Sequence, residues 1–77
     1  MKLPIVSSED IIRALIRAGF YYAPKRGKGS HLAFYKEEQK KKRLVIVPKR
    51  KEIPRGTLLA ILEQAGLSRE QFLKLLK

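Results

Sequence analysis

Apolar residues change their spacing twice along this chain, and that change restricts the fold more than any other feature. Ile11, Ile12, Leu15 and Ile16 recur at helical spacing. Three short aromatic or β-branched runs follow: Phe20 to Ala23, His31 to Tyr35, and Arg43 to Val47. Helical spacing then returns in Leu58, Leu59, Ile61, Leu62 and Ala65, and again in Phe72, Leu73, Leu75 and Leu76. The order α-β-β-β-α-α predicts an α+β fold, a three-stranded antiparallel meander with helices on one face. With 77 residues, a single domain over 1–77 is expected.

Punctuation residues refine the boundaries. Ser7 and Ser8 before Glu9 and Asp10 read as an N-cap with acids in the first turn. Gly19 suits the position that closes a helix over roughly 8–18. Residues 24–30 read as a turn or loop, and Pro48 stops the third strand. Residues 36–42 read as a charged connector, a solvated hairpin loop. Pro54 fits the first turn of the second helix and Gly66 its end, and Ser68 with Gln71 forms a capping box opening the third. Alternation places Leu32 and Phe34 on one face of their strand and His31, Ala33 and Tyr35 on the other. Phe20, Phe34 and Phe72 are assigned to the core. Tyr21, Tyr22 and Tyr35 suit stacking on unpaired bases, with at least one expected in the core.

Eighteen Lys and Arg against seven Asp and Glu give a formal net charge of +11. A surface so far from balance predicts a polyanionic partner, nucleic acid first, because basic chains bind phosphate backbones by releasing counterions. The chain has no cysteine and one histidine, so neither a disulfide nor a protein-built metal site is expected, and no small-molecule cofactor is called for. No apolar run of about 18 residues exists to span a membrane. The N-terminus lacks a basic stretch followed by an apolar core, which makes a cytoplasmic location the expectation.

His31 is the one side chain here whose unperturbed titration falls near neutral pH, so it is the first candidate for acid–base catalysis. It follows a loop holding Lys25, Arg26, Gly27, Lys28, Gly29 and Ser30. The glycines suit two roles that stay open: a hairpin turn, or close approach of backbone amides to a phosphate. Lys49, Arg50, Lys51 and Arg55 lie just before a helix start and read either as phosphate contacts or as a solvated charge run.

Four segments then line up. Ala18-Gly19-Phe20 closes the first helix, Gly29-Ser30-His31 closes the loop, Val47-Pro48 ends a strand, and Gly56-Thr57-Leu58 leads to Gln64-Ala65-Gly66-Leu67-Ser68. In this order and spacing they resemble the HicA-type, or YcfA-like, toxins of toxin–antitoxin pairs, from about residue 7 to residue 75. The resemblance implies a fold like the double-stranded RNA-binding domain. It implies an mRNA interferase restrained by a HicB-type antitoxin protein, with His31 on the family's active-site histidine. Many members carry a second histidine two residues after the Val-Pro pair; here that position is Arg50.

RNA cleavage suits such a residue set, because the 2′-hydroxyl is an internal nucleophile. The protein has only to move protons and to stabilise charge on phosphorus. His31 would serve as general acid or base, Ser30 would orient it or donate to the phosphate, and Lys28 with Gly29 would hold that phosphate. Two rivals remain at this level: a non-catalytic RNA-binding module of the same fold, and a protein whose basic face serves to bind an acidic partner.

Overall fold

The computed structural model describes residues 3–26 and 29–77. Helix α1 spans Ser8–Arg17 and starts at Ser7, whose hydroxyl accepts the Asp10 N–H while the Asp10 carboxylate accepts the Ser7 N–H. Two orphan donors are satisfied at once, which is why the helix begins there. At the other end the Gly19 N–H donates to the Ile16 carbonyl and the Phe20 N–H to the Leu15 carbonyl. This Schellman arrangement needs a left-handed residue, and Gly19 supplies it with φ of 99°. Gly66, with φ of 70°, closes the second helix in the same way.

Strand β1 is Tyr21–Tyr22, followed by a 3-10 turn at Pro24–Arg26. Strands β2, His31–Glu38, and β3, Lys41–Pro48, form a long antiparallel hairpin, with β2 in the centre of the sheet. Helix α2 covers Arg55–Ala65 and α3 covers Arg69–Leu76, the latter opened by the Ser68–Gln71 capping box. The predicted order and class hold. Pro54 stands just before α2, at its N-cap, and not inside its first turn.

The connector expected over 36–42 as a solvated loop is instead mostly strand. Only Gln39 and Lys40 turn the chain, both at positive φ, 44° and 68°. That is the twist a two-residue hairpin requires. The strands extend this far because the charges are complementary across the pair: Glu37 faces Lys42 and Glu38 faces Lys41. Lys36 turns inward, donating from Nζ to the Ala18 carbonyl at 2.7 Å and lying over the Phe20 ring. It thereby satisfies a carbonyl at the end of α1.

The core lies between the helices and one sheet face. Ile11, Leu15, Phe34, Val45, Leu58, Ile61 and Phe72 are buried together there, and Phe20 joins them as expected. Ile16 points outward at 51% exposure, so the apolar stripe of α1 is narrower than its spacing implied. The opposite sheet face carries no α-helix. By register it presents Tyr21, Tyr35 and Leu44, then Ala33 and Ile46, then His31 and Pro48. Ala33 is nevertheless fully buried, because the Pro24–Arg26 turn packs against β2 on that side. No tyrosine is in the core: Tyr21 and Tyr22 are half exposed and Tyr35 is half-buried, since no layer covers their end of the sheet. Among the described residues, no helix is long and apolar enough to cross a membrane.

Candidate functional site

His31 is the first residue of β2 and is solvent-exposed. It stands at the open end of the hairpin, opposite Pro48. The ladder continues one step beyond the strands, where the Lys49 N–H donates to the Ser30 carbonyl at 2.8 Å. Ser30, His31, Pro48 and Lys49 are therefore held as neighbours by backbone geometry. Gly29 precedes them at φ of 58° and, like Ser30, is exposed.

After Lys49 the chain crosses the start of α1, and one side chain fixes that crossing. The Ser8 hydroxyl donates to the Arg50 carbonyl at 2.9 Å and accepts the Arg50 N–H at 3.0 Å. The Ser8 N–H also donates to the same carbonyl at 3.0 Å. A groove results, floored by Ile12 and Leu32 and bordered by Ser8, Lys49, Arg50 and Lys51. Its acidic border residue is Glu9. Three cations thus border the groove, on the segment that follows His31's partner Pro48, and the backbone of that segment is tied at Lys49 and at Arg50.

The other candidates are dispersed. Arg55, the first residue of α2, shares a hollow with Arg50, Glu52 and Ile5 rather than with the histidine. Lys25 and Arg26 are exposed in the 3-10 turn, and the Arg26 guanidinium lies 5.9 Å above the Tyr35 ring. Gly27 and Lys28 lie outside the described residues, so the phosphate-holding role expected of them has no geometry to meet. Ser8 is the residue that sequence reasoning assigned only to capping; a second serine behind the N-cap was the sole hint of its longer reach.

Two groups in the surroundings have shifted titrations. The Asp10 carboxyl is held below its ordinary value chiefly by the Ser7 N–H, with help from the Ser7 hydroxyl and from Arg13. The Tyr35 phenol is pushed up, first by loss of water around it and then by the Glu37 carboxylate, whose oxygen accepts the phenol proton at 3.3 Å. Among the described residues, no three His, Cys, Asp or Glu side chains gather as a metal-binding group would.

A family model described as the HicA toxin of bacterial toxin–antitoxin systems matches residues 8–67. The match begins with α1 and ends just past the glycine that closes α2, so it takes in the hairpin, the histidine and the basic crossing. No curated protein matches the chain significantly.

Proposed function

This chain belongs to the HicA toxin family of bacterial toxin–antitoxin systems, and on that premise we propose that it is a metal-independent endoribonuclease acting on mRNA or other RNA, with His31 as its general acid–base residue. The toxin role follows from the family; the chemistry is our reading. The observation that carries it is the pairing of the exposed His31 with Pro48, which puts the cationic segment of Lys49, Arg50 and Lys51 next in line.

In this reading the RNA backbone passes the open end of the hairpin, with the reacting phosphate between His31 and the Lys49–Arg50 segment. The 2′-hydroxyl attacks the adjacent phosphorus, forming the new P–O bond as the P–O5′ bond breaks. His31 takes the 2′ proton or delivers one to the departing 5′ oxygen, a contribution of about 10²–10⁴-fold. Lys49 and Arg50 offset the charge that builds on the non-bridging oxygens. The products are a 2′,3′-cyclic phosphate and a 5′-hydroxyl. With Arg50 at the position of the family's second histidine, the other proton transfer falls to a lysine, to water or to a second subunit. Ser30, Lys25, Arg26, Lys28, Gly29, Lys51 and Arg55 serve as RNA contacts.

Family membership supplies an antitoxin as partner class. We take it to be a HicB-type protein that neutralises by covering His31. A complex that left His31 open to RNA would contradict this.

The decisive experiment is cleavage of an end-labelled, unstructured RNA in excess EDTA by the wild type and by His31→Ala. Scission confined to the wild type supports the reading. Tight, salt-sensitive binding with no scission in either would leave an RNA-binding module in its place.

A further inference from the structure

We propose that Tyr21 and Tyr35 form a stacking subsite for an unpaired nucleotide of a single-stranded RNA, on the sheet face that carries no α-helix and also carries His31. The proposal rests on the RNA-directed reading above and adds to it a second point of contact, away from the bond that breaks.

Tyr21 and Tyr35 are cross-strand partners whose rings meet edge to face, with centroids 5.4 Å apart and planes at 70°. Tyr21 is 55% exposed, so much of its ring is left to solvent instead of to the core. Burying the rest would be favourable for any ligand with a flat apolar face. The Tyr35 ring is held in place from two sides. Glu37 accepts its hydroxyl proton at 3.3 Å, and the Arg26 guanidinium lies 5.9 Å from its centroid. A ring with two polar contacts, edge to face with a half-exposed one and with a cation beside it, offers the stacking surface and charge that unpaired bases use.

Tyr22 marks the contrast. It is about as exposed as Tyr21, but it belongs to the core face, tilted at 45° against Phe34. Its exposure is that of a residue at the core's rim.

Charge selects the occupant. Among the described residues of the three strands, this face carries a single carboxylate, Glu37, and it is engaged by Tyr35 and paired across the sheet with Lys42. Arg26, beside the Tyr35 ring, is the cation placed to meet a phosphate there. An acidic protein segment would satisfy the cations but would leave the rings without planar partners. A duplex fits poorly, because its bases are already stacked inside the helix. Tyr35 and His31 are four residues apart on one strand face, roughly 13 Å, a span that a few nucleotides cover. One strand of RNA that passes over the Pro24–Arg26 turn, where Lys25 and Arg26 are exposed, can therefore reach both.

The test uses His31→Ala, which keeps the RNA intact, combined with Tyr22→Phe. The chain has three tyrosines and no tryptophan, so the remaining ultraviolet emission comes from Tyr21 and Tyr35 alone. Titration with a single-stranded oligouridylate should quench that emission, and a duplex RNA of equal length should not. Tyr21→Leu should weaken oligouridylate binding roughly 5- to 150-fold, the worth of one stacked base, and Tyr21→Phe should restore it.

Oligouridylate bound without quenching, and equally tightly by Tyr21→Leu, overturns the proposal. If the wild type still cleaves RNA in that case, the ribonuclease reading stands alone. Quenching with weakened binding in Tyr21→Leu, but no cleavage by the wild type, leaves the stacking subsite standing and the ribonuclease reading fallen. If Tyr21→Leu spares RNA binding and instead abolishes antitoxin binding or self-association, the face is a protein interface and the proposal is wrong.

Discussion

Ser8 and Arg50, 42 residues apart in the chain, are joined by three hydrogen bonds, all to the backbone of Arg50. The helix start that Ser7 caps is thereby welded to the basic crossing. Ser8→Ala removes two of the three and leaves the Arg50 N–H without its acceptor. Such a loss at a buried position should cost about 1–3 kcal/mol, measured by urea denaturation. RNA affinity should fall with it, although no cation is removed.

His31→Ala should separate stability from activity. The residue is exposed, so the unfolding free energy should stay within about 0.5 kcal/mol of the wild type. Cleavage should drop by about 10²–10⁴-fold. A large loss of stability would mean that the imidazole holds the hairpin mouth together and would undercut its catalytic role.

Asp10 should give the fold an acid-sensitive element. Its folded-state titration lies below the ordinary value of 3.8, with the Ser7 N–H the leading cause. A depressed carboxyl contributes stability that is fully present above its unfolded value and is lost as pH falls through the folded one. Asp10→Asn should therefore be less stable than the wild type at pH 7, by about 0.3–1 kcal/mol for a charge in the first turn. The gap should begin to narrow near the ordinary carboxyl value, about pH 4, and close as the pH falls through the folded one. Thermal midpoints of the two proteins across pH 2–7 would show the curves converging.

Lys40→Gly should stabilise the protein. Lys40 holds φ of 68° at the hairpin tip with no glycine to relieve it. Removing the Cβ relieves about 1–2 kcal/mol of left-handed strain against about 0.5–1 kcal/mol of glycine's added chain entropy, a net gain visible as a higher denaturant midpoint with unchanged RNA cleavage.

The helix ends were readable because their chemistry is written in adjacent residues. Ser7 with Asp10, Gly19, Gly66, and Ser68 with Gln71 each satisfy backbone groups within a turn. The hairpin was harder to see. Glu37, Glu38, Lys41 and Lys42 look like a loop until their cross-strand partners are known, and the turn at Gln39 and Lys40 lacks the glycine or asparagine that usually marks it. Of the site, His31 stood out as the lone histidine, and the cations stood out as a cluster. What joins them did not: the Lys49–Ser30 and Ser8–Arg50 bonds link residues 19 and 42 positions apart. The tyrosines show a related limit. Period-two alternation put Tyr35 on the face of His31, but only the register shows that Tyr21 shares it and Tyr22 does not.

The two-residue tip at Gln39 and Lys40 is remote from the histidine, eight positions along the strand, or about 26 Å. Yet it counts out the residues of β3 and so decides which one arrives opposite His31. A slip of one place would bring Val47 or Lys49 there instead of Pro48, and would turn Leu44, Ile46 and Pro48 inward to where Val45 and Val47 now pack. The tip works as a ruler: changes of length at this solvent-exposed end of the molecule are written out, in full, at the other.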